Sequence, residues 1–419
     1  MSADTLDALE RRDPRERERD LMGRLPQLLE RARSAPGWAA ILKNVDPSRI
    51  TSRAALADLP ITRKAHLKAL QGASMPFGGL VPTPVGQLAR VFVSPGPIFD
   101  PEGRGSDWWR FARPMYAAGV RPGGLLQNCF SYHFTPAAFM VEGGAARIGC
   151  AVIPAGIGQT EMQVQAIADL RPDTYVGTPS FLRLIIQKAQ EMNADVSSIR
   201  NALMGAEALP ETLRSWFHEN GVPNVLQTYA SADIGSVAYE TSTGGVLNPG
   251  MTLDEDVIVE IVRPGSGDPV TPGDIGEIVV TLFNQDYPLV RFATGDMSAM
   301  LVDAPPSRCG RTNLRIRGWM GRADQTTKVR AMFVHPSQVS NIARRHPEIA
   351  RARLVVSGQM ANDVMTLRCE VEAEPSEEKK AAIVSSIREV TRLRGVVEFV
   401  ARGALPDDGL LIEDIRDYS

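Results

Sequence analysis

The sequence has little cysteine or histidine, no excess of basic charge and no apolar run of membrane length. Each shortage removes a class of function. Cys129, Cys150, Cys309 and Cys369 are far apart, with no Cys-x-x-Cys and no nearby pair of histidines. That spacing indicates neither a zinc site nor a disulfide framework, and buried thiols are the simplest reading. The five histidines, His133 and His335 among them, form no metal-ligating spacing either. A net charge of −3 argues against nucleic acid as a partner, since a binder of phosphate backbones normally carries a basic excess. Residues 1–19 are strongly charged rather than a signal segment, and no apolar run suits a bilayer. The expectation is a cytoplasmic protein with no membrane partner. No Gly-x-Gly-x-x-Gly opens a helix after a strand, which disfavours a dinucleotide-dependent oxidoreductase.

What is present points to an α/β protein of several parts. A chain of 419 residues is too long for one ordinary core. Leu21, Leu25, Leu28 and Leu29 form a helical stripe that Pro26 is placed to interrupt, and residues 11–20 ahead of it read as a solvated helix end. Thr62 reads as the cap of a further helix. Over residues 125–229, short apolar runs near 151–153, 174–176, 202–204 and 224–226 alternate with helical stretches. Thr160 and Gln163 make a capping-box pattern, and Thr178 with Pro179 opens the next helix. Strands separated by single helices require crossovers, hence a mostly parallel sheet whose ligands bind beyond the carboxyl ends of its strands. Over 244–301 the pattern alternates with period two between Pro and Gly turns, predicting a β-rich subdomain. After residue 324 a helix-strand-strand-helix-strand order predicts a small α+β domain. The predicted division is a helical leader at 1–85, an α/β body at 86–243, the β-rich subdomain at 244–323 and a mobile C-terminal α+β domain at 324–419.

Two turns carry charges in positions suited to chemistry. In Arg291-Phe-Ala-Thr-Gly-Asp296 a strand-like run stops at Gly295, and Asp296 follows where its carboxylate can accept from two neighbouring hydroxyls, such as those of a ribose. Gly321-Arg-Ala-Asp324 repeats the arrangement with a cation able to make a forked hydrogen bond.

The two together, about 25 residues apart, resemble the nucleotide end and hinge of the adenylate-forming (acyl-CoA synthetase/AMP-binding) superfamily, in its phenylacetate-CoA ligase-like branch. The resemblance covers nearly the whole chain. It implies that Asp296 and Arg322 hold ribose and that Gly205, Ala206 and Glu207 approach adenine. In Tyr229-Ala-Ser-Ala-Asp233 it implies that Tyr229 packs on the base beside Ala230, and that Asp233 helps to hold magnesium. Ser94 and Gly96 match its phosphate-cradling loop, Tyr132 and Phe134 its aromatic substrate pocket, Asp324 its hinge and Lys328 a lysine after the hinge. The implied cofactors are ATP/AMP, Mg²⁺ and CoA, the partner an aromatic or other apolar carboxylic acid. A homodimer is one expected assembly.

The sequence departs from the family in its cations. Asp100 stands where the loop lysine belongs, Pro95 and Pro97 lack amide donors, and Ala232 lacks the family's hydroxyl. The matching tail reads Asp407-Asp-Gly409, and no lysine follows Lys380. Losing such cations typically costs several kcal/mol of transition-state stabilisation, so weak adenylation is expected unless Lys328 or Arg402 substitutes. Two readings follow: an ATP-dependent acid-CoA ligase working through acyl-AMP, or a catalytically impaired relative that binds adenylate or acyl-CoA as a sensor or partner subunit.

Overall fold

The computed structural model describes residues 5–323, 325, 327–330, 332–358, 363–372, 375–406 and 410–416. The chain divides into two compact units, Met1–Met320 and Gly321–Ser419.

In the first unit, strands Leu125–Asn128, Ala151–Ile153, Thr174–Gly177, Asn201–Met204 and Asn224–Ser231 run parallel. Helices Ala137–Ile148, Thr160–Leu170, Pro179–Met192 and Glu211–Glu219 connect them. The crossovers force the parallel order that the strand-helix alternation predicts. Gly235–Tyr239, Met251–Leu253 and Arg315–Ile316 extend the sheet antiparallel to eight strands. Thr178 caps its helix, its hydroxyl accepting from the Phe181 amide at 3.4 Å. The capping box at Thr160 is not formed. Gln163 turns inward instead, accepting from Gln127 Nε2 at 2.7 Å and donating to the Gly156 and Gly158 carbonyls. Satisfying buried polar groups outweighs a solvent-side cap there.

The second sheet of this unit holds Val257–Val262, Gly276–Leu282 and Leu289–Ser298 in antiparallel order, plus the two-residue strand Thr62–Arg63, which pairs parallel to the last of these. Thr62 is thus a strand residue opposite Phe292 and caps no helix. Helix Pro14–Arg33 passes through Pro26 unbroken and buries Leu21, Leu25, Leu28 and Leu29 in the core shared with Trp38, Leu282 and Leu289. Each buried leucine contributes about 1.5–3 kcal/mol, enough to carry the helix past its proline. The charged start of the leader is not simply solvated: Arg17 is 4% exposed and donates to Glu255 at 2.8 Å.

In the second unit, strands Val396–Ala401, Val364–Val371, Arg351–Ser357 and Ile412–Asp414 form a four-stranded sheet. Helices Pro336–Arg345 and Glu377–Thr391 cover it through Val339, Ile342, Ile383 and Ile387, the helix-spaced residues of each. None of the described helices is long and apolar enough to cross a membrane.

Candidate active site

Asp296 does not follow the end of a strand. Leu289–Ser298 continues through it, and the register pairs Glu277 with Met297 and Val279 with Ala293, so Ile278 faces Thr294, Gly295 and Asp296 together. This bulge re-aims the side chain that a regular strand would place otherwise. Gly295 supplies its positive φ of 77°, and the Thr294 hydroxyl donates to the Ile278 carbonyl while accepting from the Asp296 amide, both at 3.1 Å. The half-buried Asp296 carboxylate accepts from the Tyr229 phenol at 2.8 Å and from Trp319 Nε1 at 3.0 Å. Both carboxylate oxygens are therefore oriented by these two donors.

Tyr229 lies near the end of the long strand Asn224–Ser231, and Asp233 sits on the turn that reverses into Gly235–Tyr239. Asp233 is 1% exposed and accepts from Lys64, the residue directly after strand Thr62–Arg63. Burial opposes the Lys64 charge, but Asp233, and beyond it Asp100 and Asp296, outweigh this and raise its pKa. Asp100, fully buried on strand Ile98–Glu102, completes the cluster. Burial first, then the neighbouring Asp233, pushes its carboxyl up to about 8. The Oδ1 atoms of Asp100 and Asp233 are buried and have no donor. Tyr287, fully buried beside this pair, is likewise pushed far above the usual phenol range, by burial first.

The other expected site residues fall as follows. Ser94 ends strand Arg90–Ser94 and pairs with Ile98 across a hairpin tip of Pro95, Gly96 and Pro97, and its hydroxyl donates to Asp100. It is therefore already engaged within the hairpin. At Gly205-Ala-Glu207 the left-handed conformation falls on Ala206, at φ 65°, rather than on the glycine. Glu207 accepts from the Ser180 amide at 3.3 Å, at the start of helix Pro179–Met192. Ala230 pairs with Ser236 across the turn that carries Asp233. Tyr132 is half-buried, donating to Glu142 at 2.6 Å and packing edge-on against Phe139, whereas Phe134 is 75% exposed. The aromatic pair thus splits between interior and surface, with the Tyr132 hydroxyl held by Asn128 and Glu142.

In the second unit, Arg322 is half-buried near the start. Lys328 lies on strand Thr327–Val329 opposite Phe333, and its side chain falls outside what the structure describes. Asp324 and residues 407–409 lie outside the described residues. Arg402 donates to Glu372 at 2.6 Å as an exposed pair. Sequence reasoning missed Lys64 and Trp319, and found Asp100 only as an absent lysine. Lys64 has no local signature; only the pairing of its strand with Leu289–Ser298 brings it here.

Residues 118–282 match the family described as AMP-binding enzyme. Over 307 residues the chain is 30% identical to a phenylacetate-coenzyme A ligase of Pseudomonas putida, covering 70% of this chain and 67% of that one. The chain belongs to the adenylate-forming enzymes, in the phenylacetate-coenzyme A ligase branch. A second member of the branch, from Thermus thermophilus, is 29% identical over 338 residues, 78% of this chain and 74% of its own length. The adenylate-forming fold extends over nearly the entire chain. A solved 2-hydroxyisobutyryl-CoA ligase, in complex with 2-HIB-AMP and CoA, aligns with a TM-score of 0.81 at 23% identity, over 98% of this chain and 92% of that one.

Proposed function

We propose that this adenylate-forming enzyme is an acid-thiol ligase: it activates a carboxylic acid with ATP as acyl-AMP and transfers the acyl group to CoA. The observation that carries the reading is the Tyr229–Asp296–Trp319 arrangement beside Asp233, in a chain whose relatives are named as ligases of this kind. Asp296 accepts from the ribose hydroxyls while Tyr229 and Trp319 hold it in place. Tyr229 and the backbone of Gly205, Ala206 and Glu207 border the base. The acid is aromatic or otherwise apolar, a finer assignment supported by the phenylacetate named for the relatives. Roles for Arg322, Lys328 and a hinge at Asp324 are proposed from the family resemblance alone.

Magnesium fits the donor set, because Asp233 Oδ1 is a buried carboxyl oxygen without a partner and Mg²⁺ takes one or two carboxylates with water. When bound, the ion neutralises charge on the phosphate oxygens. The protein's own groups orient the nucleotide and place the acid carboxylate against the α-phosphate, which is the greater part of the task in such a transfer.

Nothing in the comparisons or the geometry favours the impaired, binding-only alternative. Two assays test the reading: pyrophosphate release with a panel of aryl and alkyl acids, and thioester formation from synthetic acyl-AMP and CoA. Activity in both is expected; activity in neither, with AMP still bound, overturns it.

A further inference from the structure

We propose that Lys64 is the cation that faces the phosphate chain of ATP in this protein, supplying the charge that the loop over residues 90–101 does not carry. The inference rests on the ligase reading above. Lys64 donates to Asp233 and has the Asp100 and Asp296 carboxyls as further neighbours. Its side chain keeps 30% exposure, whereas Asp233 and Asp100 are 1% and 0% exposed. Of the trio, then, Lys64 is the member whose side chain an incoming ligand can reach. The pairing of Arg63 with Ala293 sets Lys64 beside the bulge that carries Asp296, so a nucleotide whose ribose is held at Asp296 lies next to this cation.

The hairpin itself offers little competition. Pro95 and Pro97 have no N–H to donate, and the Ser94 hydroxyl is committed to Asp100. Asp100, where the family resemblance implies a lysine, instead helps to fix a lysine brought in from the leader. The bland alternative is that Lys64 only neutralises buried carboxyls.

Calorimetry on the full-length chain separates the two, with MgATP and AMP as ligands for wild type, Lys64→Met, Lys64→Arg and the double variant Lys64→Met/Asp100→Asn. Loss of one charge-assisted contact predicts MgATP affinity lower by about 10- to 100-fold in both Met variants, with AMP changed far less and Lys64→Arg recovering most of the loss. Unchanged MgATP affinity in Lys64→Met would overturn the proposal. So would recovery in the double variant, which would make the lysine a neutraliser of Asp100. The double variant has one buried carboxyl fewer beside Asp233 and carries the test where Lys64→Met alone does not fold. A wild type that binds neither nucleotide overturns the ligase reading itself, and this inference with it.

Discussion

Tyr229 donates its phenol proton to Asp296 at 2.8 Å, joining the carboxyl end of the parallel sheet to a bulge in the second sheet of the same unit. Through that one hydrogen bond, the residue expected to border adenine also sets the position of the one expected to hold ribose. Replacing Asp296 with Ala removes the acceptor proposed for both ribose hydroxyls. AMP affinity is expected to fall by about 10-fold or more, since hydrogen bonds to charged groups contribute about 1.5–3 kcal/mol each. Tyr229→Phe, which keeps the ring, is expected to lose only a few-fold. Calorimetry with AMP reads both, and equal affinities for Asp296→Ala and wild type would count against the assignment.

Gly295→Ala tests whether the bulge itself matters. A side chain at φ 77° costs about 1 kcal/mol of strain, and any backbone shift that relieves it moves the neighbouring Asp296. Thermal unfolding should shift little while AMP affinity drops clearly; a variant with wild-type affinity would show that the bulge is incidental.

Glu255 receives Arg17 at 2.8 Å and Arg12 at 3.1 Å, with Arg17 and Glu255 both almost fully buried. Glu255→Ala strands the Arg17 guanidinium in the interior. Removing one partner of such a pair costs about 3–5 kcal/mol, and a denaturant midpoint clearly below wild type is the expected result. An exposed pair such as Arg402–Glu372 should show less than about 1 kcal/mol in the same measurement.

Asp107 gives stability a pH dependence. Burial lifts its carboxyl to about 6, against hydrogen bonds from the Ala112 and Phe111 amides and the nearby Arg147. The folded protein therefore holds this proton more tightly than the unfolded chain. The contribution is fully present below the ordinary aspartate range and is lost as pH rises through about 6. Compared with Asp107→Asn, wild-type stability should decline from pH 4 to about 6 and then run parallel; a constant difference throughout would exclude Asp107 as the source.

Much of the fold was legible because its elements are local. The apolar runs between helices, the period-two alternation near Val257, and the Thr178-Pro179 start each depend on neighbours within a few positions. The candidate site was legible in part: Tyr229 stands near a strand end, Asp233 on a reversal and Asp296 on a bulge, at positions that the motifs mark. The rest depended on distant pairings. Lys64 reaches Asp233 because Thr62 pairs with Phe292, which no local pattern encodes. Gln163 has a cap's sequence and an interior residue's surroundings. Asp296 looks like the residue after a turn because a bulge and a turn use the same Thr-Gly-Asp grammar.

The pairing of Thr62 with Phe292 also dictates an order of events. A chain emerging from the ribosome holds its leader long before Leu289–Ser298 is made, and non-local contacts of this kind form late in folding. Competence to grip a nucleotide should therefore arrive in one step near the completion of the first unit, and shortened chains ending before Phe292 should show none.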